Sequence, residues 1–252
     1  MKDCCHIFID AGGAWRVLRS LGDSIIFLSK VLNKFPCKHL HLYQKNSIVD
    51  WHPRFLEILK YAKDGERVTL HKVGERPKAK PDYTFSDHFN PYAEFDYLKM
   101  DMSKVPYNQN VIDKINFKKT ICWSARYGMR IRGGGGKITD KKEWQRQFVN
   151  VPESVKEKYP DFNFINLGMP LPIQYDLHGK PELAGAEEYD LATSIWIIKK
   201  SYKYLGIDSG GTHLALTIKE PEDVLFYSKC YPQKNPVMVD LYTRVGLSFV
   251  ED

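Results

Sequence analysis

Short apolar runs followed by stretches with helical spacing divide the chain into strands and helices in turn. His6 to Asp10, His39 to Tyr43, Val68 to Val73 and Tyr83 to Ser86 read as four strands in the first part of the sequence. Between the first two, Ile25, Ile26, Leu28, Val31, Leu32 and Phe35 recur on one helical face over Ser24 to Phe35, and Pro36 stops the run. Arg54 to Ala62 supplies a second helix. Alternation of this kind predicts an α/β protein with a parallel sheet.

The periodicity lapses over Val105 to Asn116, where Pro, Asn and Gln cluster, and this predicts two domains, 1–110 and 111–252. Beyond it the pattern resumes. Thr120 to Ser124, Phe162 to Leu167, Tyr202 to Ile207 and Asp223 to Tyr227 read as strands, Lys141 to Val149 and Tyr189 to Lys199 as helices. Trp144 and Phe148 stand one helical turn apart and belong to a core. A Pro-rich connection then leads to Val237 to Tyr242 and a short tail. Between the domains' regular parts, His88 to Tyr107 carries Phe89, Tyr92, Phe95 and Tyr97 among acidic residues. It is either a wall that stacks a sugar or base, or a loop packed on its own aromatics.

Composition narrows the class. With 43% hydrophobic and 27% charged residues and no apolar run of membrane-spanning length, the chain reads as a soluble globular protein. The start, MKDCCHIFID, lacks the pattern of a secretory signal, so a cytoplasmic location is expected. Five cysteines without a C-x-x-C pair suggest neither a disulfide framework nor zinc, and no histidine spacing suggests another metal. His39 and His41 could share one face of a strand, an arrangement whose ordinary reading is a solvated pair. A net charge of +6 favours an anionic ligand: a nucleotide, an acidic glycan or nucleic acid.

Candidate chemistry lies where strands end. After the first strand, Asp10, Gly12 and Gly13 make a place where backbone can approach a ligand. Asp23, in Leu21-Gly22-Asp23, falls at the N-terminus of the first helix, where helix capping is its ordinary role. Ser124-Ala125-Arg126 follows the first strand of the second domain. RIRGGGGK, residues 130–137, is not a phosphate-binding P-loop, because the glycine spacing is wrong and Ile138 replaces the required Ser or Thr. It either carries Arg130, Arg132 and Lys137 over an anion or is a flexible solvated loop. Gly168 ends the next strand.

The most informative stretch is YKYLGIDSGGTHLALTIKEPEDVLFY, residues 202–227. A strand runs into Asp208, Ser209, Gly210, Gly211 and Thr212. A helix then starts at Thr212 or His213 and reaches Lys219, and Glu220-Pro221 stops it before the next strand. Glycines followed by free helix N–H groups suit a phosphate; alternatively, Gly210 and Gly211 simply make a tight turn. GIDSGGT also looks like the D-x-G-G-T loop of actin-fold sugar kinases. There it opens the chain, whereas here too little sequence follows Thr212 for the hairpin and second domain that fold requires.

GIDSGGTHLALTIKEP resembles the C-terminal signature of the heptosyltransferase-like glycosyltransferases, roughly G-x-D-[ST]-G-x-x-H-L-A and then a proline. Gly206, Asp208, Ser209, Gly210, His213, Leu214, Ala215 and Pro221 stand where that pattern places them. The resemblance is strongest over 202–227 and extends in order along nearly the whole chain. It implies a GT-B architecture, two small Rossmann-like domains facing across a cleft, the first taking an acceptor and the second a nucleotide-sugar. It further implies donor contacts from Ser124, from one of Arg126, Arg132 and Lys137, and from Gly168, Asp208, Ser209, Gly210, Gly211, Thr212 and His213. Acceptor contacts fall to Asp10, Gly12 and Gly13, and Asp23 stands where the family has its proposed catalytic base. The loop before Asp23 is longer than the family's, and the four glycines of 130–137 are a departure from it.

The implied reaction is transfer of a sugar, with inversion, to a hydroxyl of a glycan or of a hydroxylated base in DNA. No D-x-D motif is present, so neither a metal nor a cofactor beyond the nucleotide-sugar is expected. The alternative is a nucleotide- or sugar-binding module that keeps the fold without chemistry.

Overall fold

The computed structural model describes residues 2–10, 21–45, 51, 53–85, 96–124, 151–167, 190–207, 209–227 and 242–250. The chain separates into two compact units, Met1–Val105 and Pro106–Asp252.

The first unit is built on four parallel strands, β1 (Cys4–Ile9), β2 (His39–Gln44), β3 (Val68–Leu70) and β4 (Tyr83–Phe85), in the order β3-β2-β1-β4. Strand alternation sends Cys5, Ile7, Ile9, Leu40 and Leu42 to one face, where all are buried. Helix α1 (Leu21–Lys34) meets that face. Its Phe27 packs edge-on against Phe85 of β4 at 4.7 Å and lies 6.2 Å from Phe55 of α2 (Pro53–Tyr61). Each such fully buried Ile, Leu or Phe contributes about 1.5–3 kcal/mol relative to exposure.

The opposite face of the same sheet carries a row of rings. His6 stacks on His41 across β1 and β2 at 4.9 Å, and His41 Nδ1 lies 3.0 Å from His71 Nε2. His71 Nδ1 in turn lies 3.1 Å from a carboxylate oxygen of Glu75, and Tyr43 stacks on His71 at 4.0 Å. A carboxylate only accepts, so His71 Nδ1 carries the proton. In the neutral ring its Nε2 then accepts from His41 Nδ1–H. Burial, then the charges of His6, His71 and His39, hold His41 below its ordinary pKa. His39 shares this face of β2 with His41, as expected, and is exposed, while strand pairing adds His6 and His71 to make a row across strands.

Cationic side chains close the C-terminal ends of three helices. The last carbonyls of a helix lack intrahelical donors and carry partial negative charge. Arg67 donates from Nη1 to Phe35 O (2.7 Å) and Cys37 O (2.8 Å) and from Nη2 to Leu32 O, gathering the end of α1. Lys104 does the same for α2, with Nζ 3.3 Å from Ala62 O and 3.2 Å from Lys63 O, while it pairs with Glu66 at 2.6 Å. In the second unit, buried Lys219 donates to Ser201 O at 2.6 Å, at the end of α5 (Leu191–Lys200). Arg67→Met keeps the aliphatic stem and removes the fork. It should cost about 2–3 kcal/mol, seen as a lower denaturant midpoint at unchanged slope, with Arg67→Lys intermediate. An unchanged midpoint would mean water satisfies the three carbonyls equally well.

The second unit has five parallel strands, β5 (Thr120–Ser124), β6 (Asn163–Asn166), β7 (Lys203–Gly206), β8 (Val224–Tyr227) and β9 (Ser248–Val250), in the order β6-β5-β7-β8-β9. Ile121, Trp123, Leu205, Leu225 and Tyr227 share one face and form a core with Val151, Phe164 and Val155 of α4 (Glu153–Lys158). The other face carries Cys122, Tyr204 and Phe226 and packs against α6 (Gly210–Leu216), which also meets α5. A short helix α3 (Gln109–Ile112) packs on α5.

Three expectations need correction. Ser248–Val250, read from sequence only as a short tail, is a strand that pairs in parallel with Leu225–Tyr227 at the sheet's edge. Helix α4, with one buried residue, was not anticipated. Helix α6 begins at Gly210, so the two glycines expected in a loop ahead of the helix form its first turn. The expected helix 141–149, the loops 130–137 and 169–187, and most of 237–242 lie outside the described residues.

Candidate functional site

In an open parallel sheet, ligands bind beyond the C-terminal ends of the strands where the strand order reverses. In the second unit the chain passes from β5 out to β6 and returns to β7 on the other side of β5, so the reversal lies between β5 and β7. Their register pairs Ser124 with Gly206, and both are the last residues of their strands. Residues 124, 206 and 209–212, far apart in sequence, therefore meet at one crevice.

The glycines there have a specific steric reason. A methyl group on Gly206 would fall on Thr212 Oγ1 and 2.6 Å from Tyr204 Cε1. One on Gly211 would stand 2.5 Å from the Tyr204 hydroxyl and 3.1 Å from Ser124 Oγ. Real Cβ atoms do not approach that closely, so these two glycines make room for Tyr204 and its neighbours rather than for a ligand alone. Thr212 donates from Oγ1 to Ile207 O at 2.5 Å, tying the first turn of α6 to the end of β7. Ser209 is extended, with φ −154° and ψ 164°, and occupies the N-cap of α6 without a side-chain capping bond. Its Oγ and the Tyr204 hydroxyl are buried without hydrogen-bond partners among the described residues.

His213 lies one turn into α6, buried, with Nε2 3.4 Å from the Tyr242 hydroxyl. Burial pushes its pKa down to about 4, so the imidazole is neutral near pH 7 and brings no positive charge to an anion. On the same face, burial pushes the Cys122 thiol up to about 12, which makes it inert.

In the first unit the order reverses between β1 and β4. Asp10 stands at that edge, just after β1, with its backbone N–H donating to Phe85 O at 2.9 Å. Asp23 is in the first turn of α1, half-buried, with its Oδ2 enclosed. The end of α1 leads to the start of β2, where His39 N bonds Asp3 O beside the start of β1. The first turn of α1 therefore lies at the strands' C-terminal edge, on the side where Asp10 also lies. Gly12, Gly13, Arg126, Arg132, Lys137, Gly168 and Asp208 fall outside the described residues. Tyr204 was read from sequence only as a strand residue. The signal that could have singled it out is its place two residues before Gly206, whose missing side chain leaves room for the ring.

Among the described residues, no group of three or more His, Cys, Asp or Glu is placed to hold a metal ion. None of the described helices is long and apolar enough to cross a membrane.

Two all-parallel sheets, each with a reversal of strand order at its C-terminal edge, make Rossmann-like units, a fold consistent with the GT-B type. The solved structure behind that assignment is the bacterial iron-containing dodecameric glycosyltransferase TibC from enterotoxigenic E. coli H10407. It is similar with a TM-score of 0.50 and 11% identity over 90% of this chain. A second structure, dodecameric iron-containing heptosyltransferase TibC in complex with ADP-D-beta-D-heptose, is similar with a TM-score of 0.46 at 12% identity, again over 90% of this chain. The chain spans 59% of the length of either. No protein-family model matches it, and neither does any curated protein.

Proposed function

We propose that the chain is a glycosyltransferase that moves a sugar from a nucleotide-sugar to a hydroxyl acceptor with inversion. The observation that carries this reading is the β5–β7 edge. There, the hydroxyls of Ser124, Tyr204 and Ser209 gather beside Gly206 and Gly211, on a turn that Thr212 ties to the end of β7, in a fold shared with a glycosyltransferase over 90% of the chain. Hydroxyls on a glycine-bearing turn are the donors a diphosphate leaving group needs. Helix α6 has only seven residues, so its dipole contributes little, and recognition falls on side-chain and backbone donors. Arg126, Arg132, Lys137, Gly168 and Asp208 complete the donor set in this reading. Asp10, Gly12 and Gly13 serve the acceptor, a glycan or a hydroxylated base in DNA, and Asp23 is the general base. The neighbour solved with ADP-heptose makes an ADP-sugar the first donor to try.

A nucleotide-sugar panel tests the proposal. The preferred donor at a hundred times its dissociation constant should stabilise the chain by about 2.7 kcal/mol, and with acceptor present it should release nucleoside diphosphate. Binding without release would leave a non-catalytic module. Release should persist in excess chelator, because amides and basic side chains take the leaving charge. Loss on chelation with rescue by magnesium, manganese or iron would make a metal part of the chemistry.

A further inference from the structure

Tyr204 is the least explained residue of the crevice. It is 0% exposed, in the middle of β7, on the face that packs against α6. A strand side chain normally stands away from the sheet, and the one two positions on stands beside it. Position 206 has no side chain, and the Tyr204 ring occupies that slot: its Cε1 lies 2.6 Å and its hydroxyl 3.2 Å from where a Gly206 Cβ would be. The ring thus extends towards the C-terminal end of its strand. It delivers the hydroxyl to the sheet's edge, between Ser124 on β5 and Gly211 in the first turn of α6.

At that end, among the described residues, neither this hydroxyl nor the enclosed Oγ of Ser209 has a partner in full hydrogen-bonding geometry, although the hydroxyls of Thr212, Ser124 and Ser209 lie close to the phenol. Enclosed hydroxyls held in poor mutual geometry contribute little to folding and keep part of their desolvation cost, and phenylalanine would fill the same slot without it. Packing therefore accounts for the ring but not for the oxygen. Resting on the reading of this crevice as a nucleotide site, we propose that Tyr204 binds ligand, donating its phenolic O–H to an anionic phosphoryl oxygen of the nucleotide, with Ser209 as a second donor. The proton is in place. Burial, with the Cys122 thiol, pushes the phenol well above its ordinary pKa, against the hydroxyls of Thr212, Ser124 and Ser209, which lower it. A neutral donor suits a dianionic diphosphate that must leave again, because each bond is short-ranged and individually modest.

Tyr204→Phe is the decisive variant, compared with the natural chain by calorimetric titration with nucleosides, nucleoside diphosphates and nucleotide-sugars, and by thermal melting without ligand. The Phe chain should melt at or above the natural one. It should bind the preferred nucleoside diphosphate about ten- to a hundredfold more weakly, the range for one hydrogen bond to a charged group. Its affinity for the parent nucleoside should not change, and Ser209→Ala should weaken diphosphate binding to a smaller degree. Equal diphosphate affinity in the two chains would overturn the role of Tyr204 and leave the nucleotide site standing. A Phe chain that melts well below the natural one would also overturn it, by showing the hydroxyl to be satisfied within the fold. If the natural chain itself binds no nucleotide, the reading of the crevice fails first and takes this inference with it.

Discussion

Asp23→Asn should lower sugar transfer by about 10² to 10⁴, the usual worth of a positioned general base. Asn has nearly the size of Asp but no carboxylate to take the acceptor's proton. Donor affinity should stay the same, because the proposed donor residues belong to the other unit. Stability should change only slightly. Asp23 is inside the first turn of α1 rather than ahead of it, so Asn loses the interaction of a negative charge with the helix N-terminus, about 0.3–1 kcal/mol. Turnover by the variant, its Kd for the donor and its melting temperature decide the matter together. Normal turnover, or parallel loss of activity and stability, would make Asp23 a structural residue. Asp10, at the β1–β4 edge, would then be the next candidate.

Acid should destabilise the second unit through His213. The folded chain holds this imidazole neutral, with a pKa of about 4 against 6.5 for the free side chain. Between those values the unfolded chain binds the proton and the folded chain does not, so stability rises with pH across the window. The contribution is complete above about pH 6.5 and is lost as pH falls towards 4. With roughly 1.4 kcal/mol per pH unit, the whole amounts to about 3 kcal/mol. Other groups also titrate in this range, so the measurement is a difference. Urea unfolding at pH 7 and at pH 4.5 should separate the natural chain far more than a His213→Gln chain, whose amide keeps a partner for Tyr242 without a proton to gain. Equal pH dependence in the two chains would mean that His213 is protonated without cost, through contacts that solvate its charge.

Much of the scaffold was legible because parallel strands announce themselves as short apolar runs. Cys4–Ile9, His39–Gln44, Thr120–Ser124 and Val224–Tyr227 all lie within a residue or two of the runs read from sequence. What escaped has identifiable causes. The segment ESVKEK turns in one buried residue, Val155, too few to leave a helical period. Ser248–Val250 is three residues long and strand-like only because β8 offers it an edge. Gly210 and Gly211 are poor helix formers, and tertiary contacts with Tyr204 and Ser124, invisible locally, put them in a helix. The crevice was half legible. The signature stretch pointed to its turn, but Tyr204 looked like any buried strand residue until the register set it beside Gly206 and Gly211. The row of His6, His41 and His71 was hidden for the same reason, since only strand pairing brings them together.

The cations that close the helix ends also impose an order on the chain's assembly. Arg67 reaches back to Leu32, Phe35 and Cys37, and Lys104 reaches back to Ala62 and Lys63. As the chain leaves the ribosome, α1 emerges with its last carbonyls open and stays so until β2, α2 and the turn before β3 have followed. Helix α2 then waits for the very end of the first unit. The early helices are thus provisional: residue 67 completes what residue 21 began, and residue 104 what residue 53 began. A nascent chain halted before Arg67 should stay susceptible to protease across α1, and one extended past it should become resistant there, with α2 following once Lys104 has emerged.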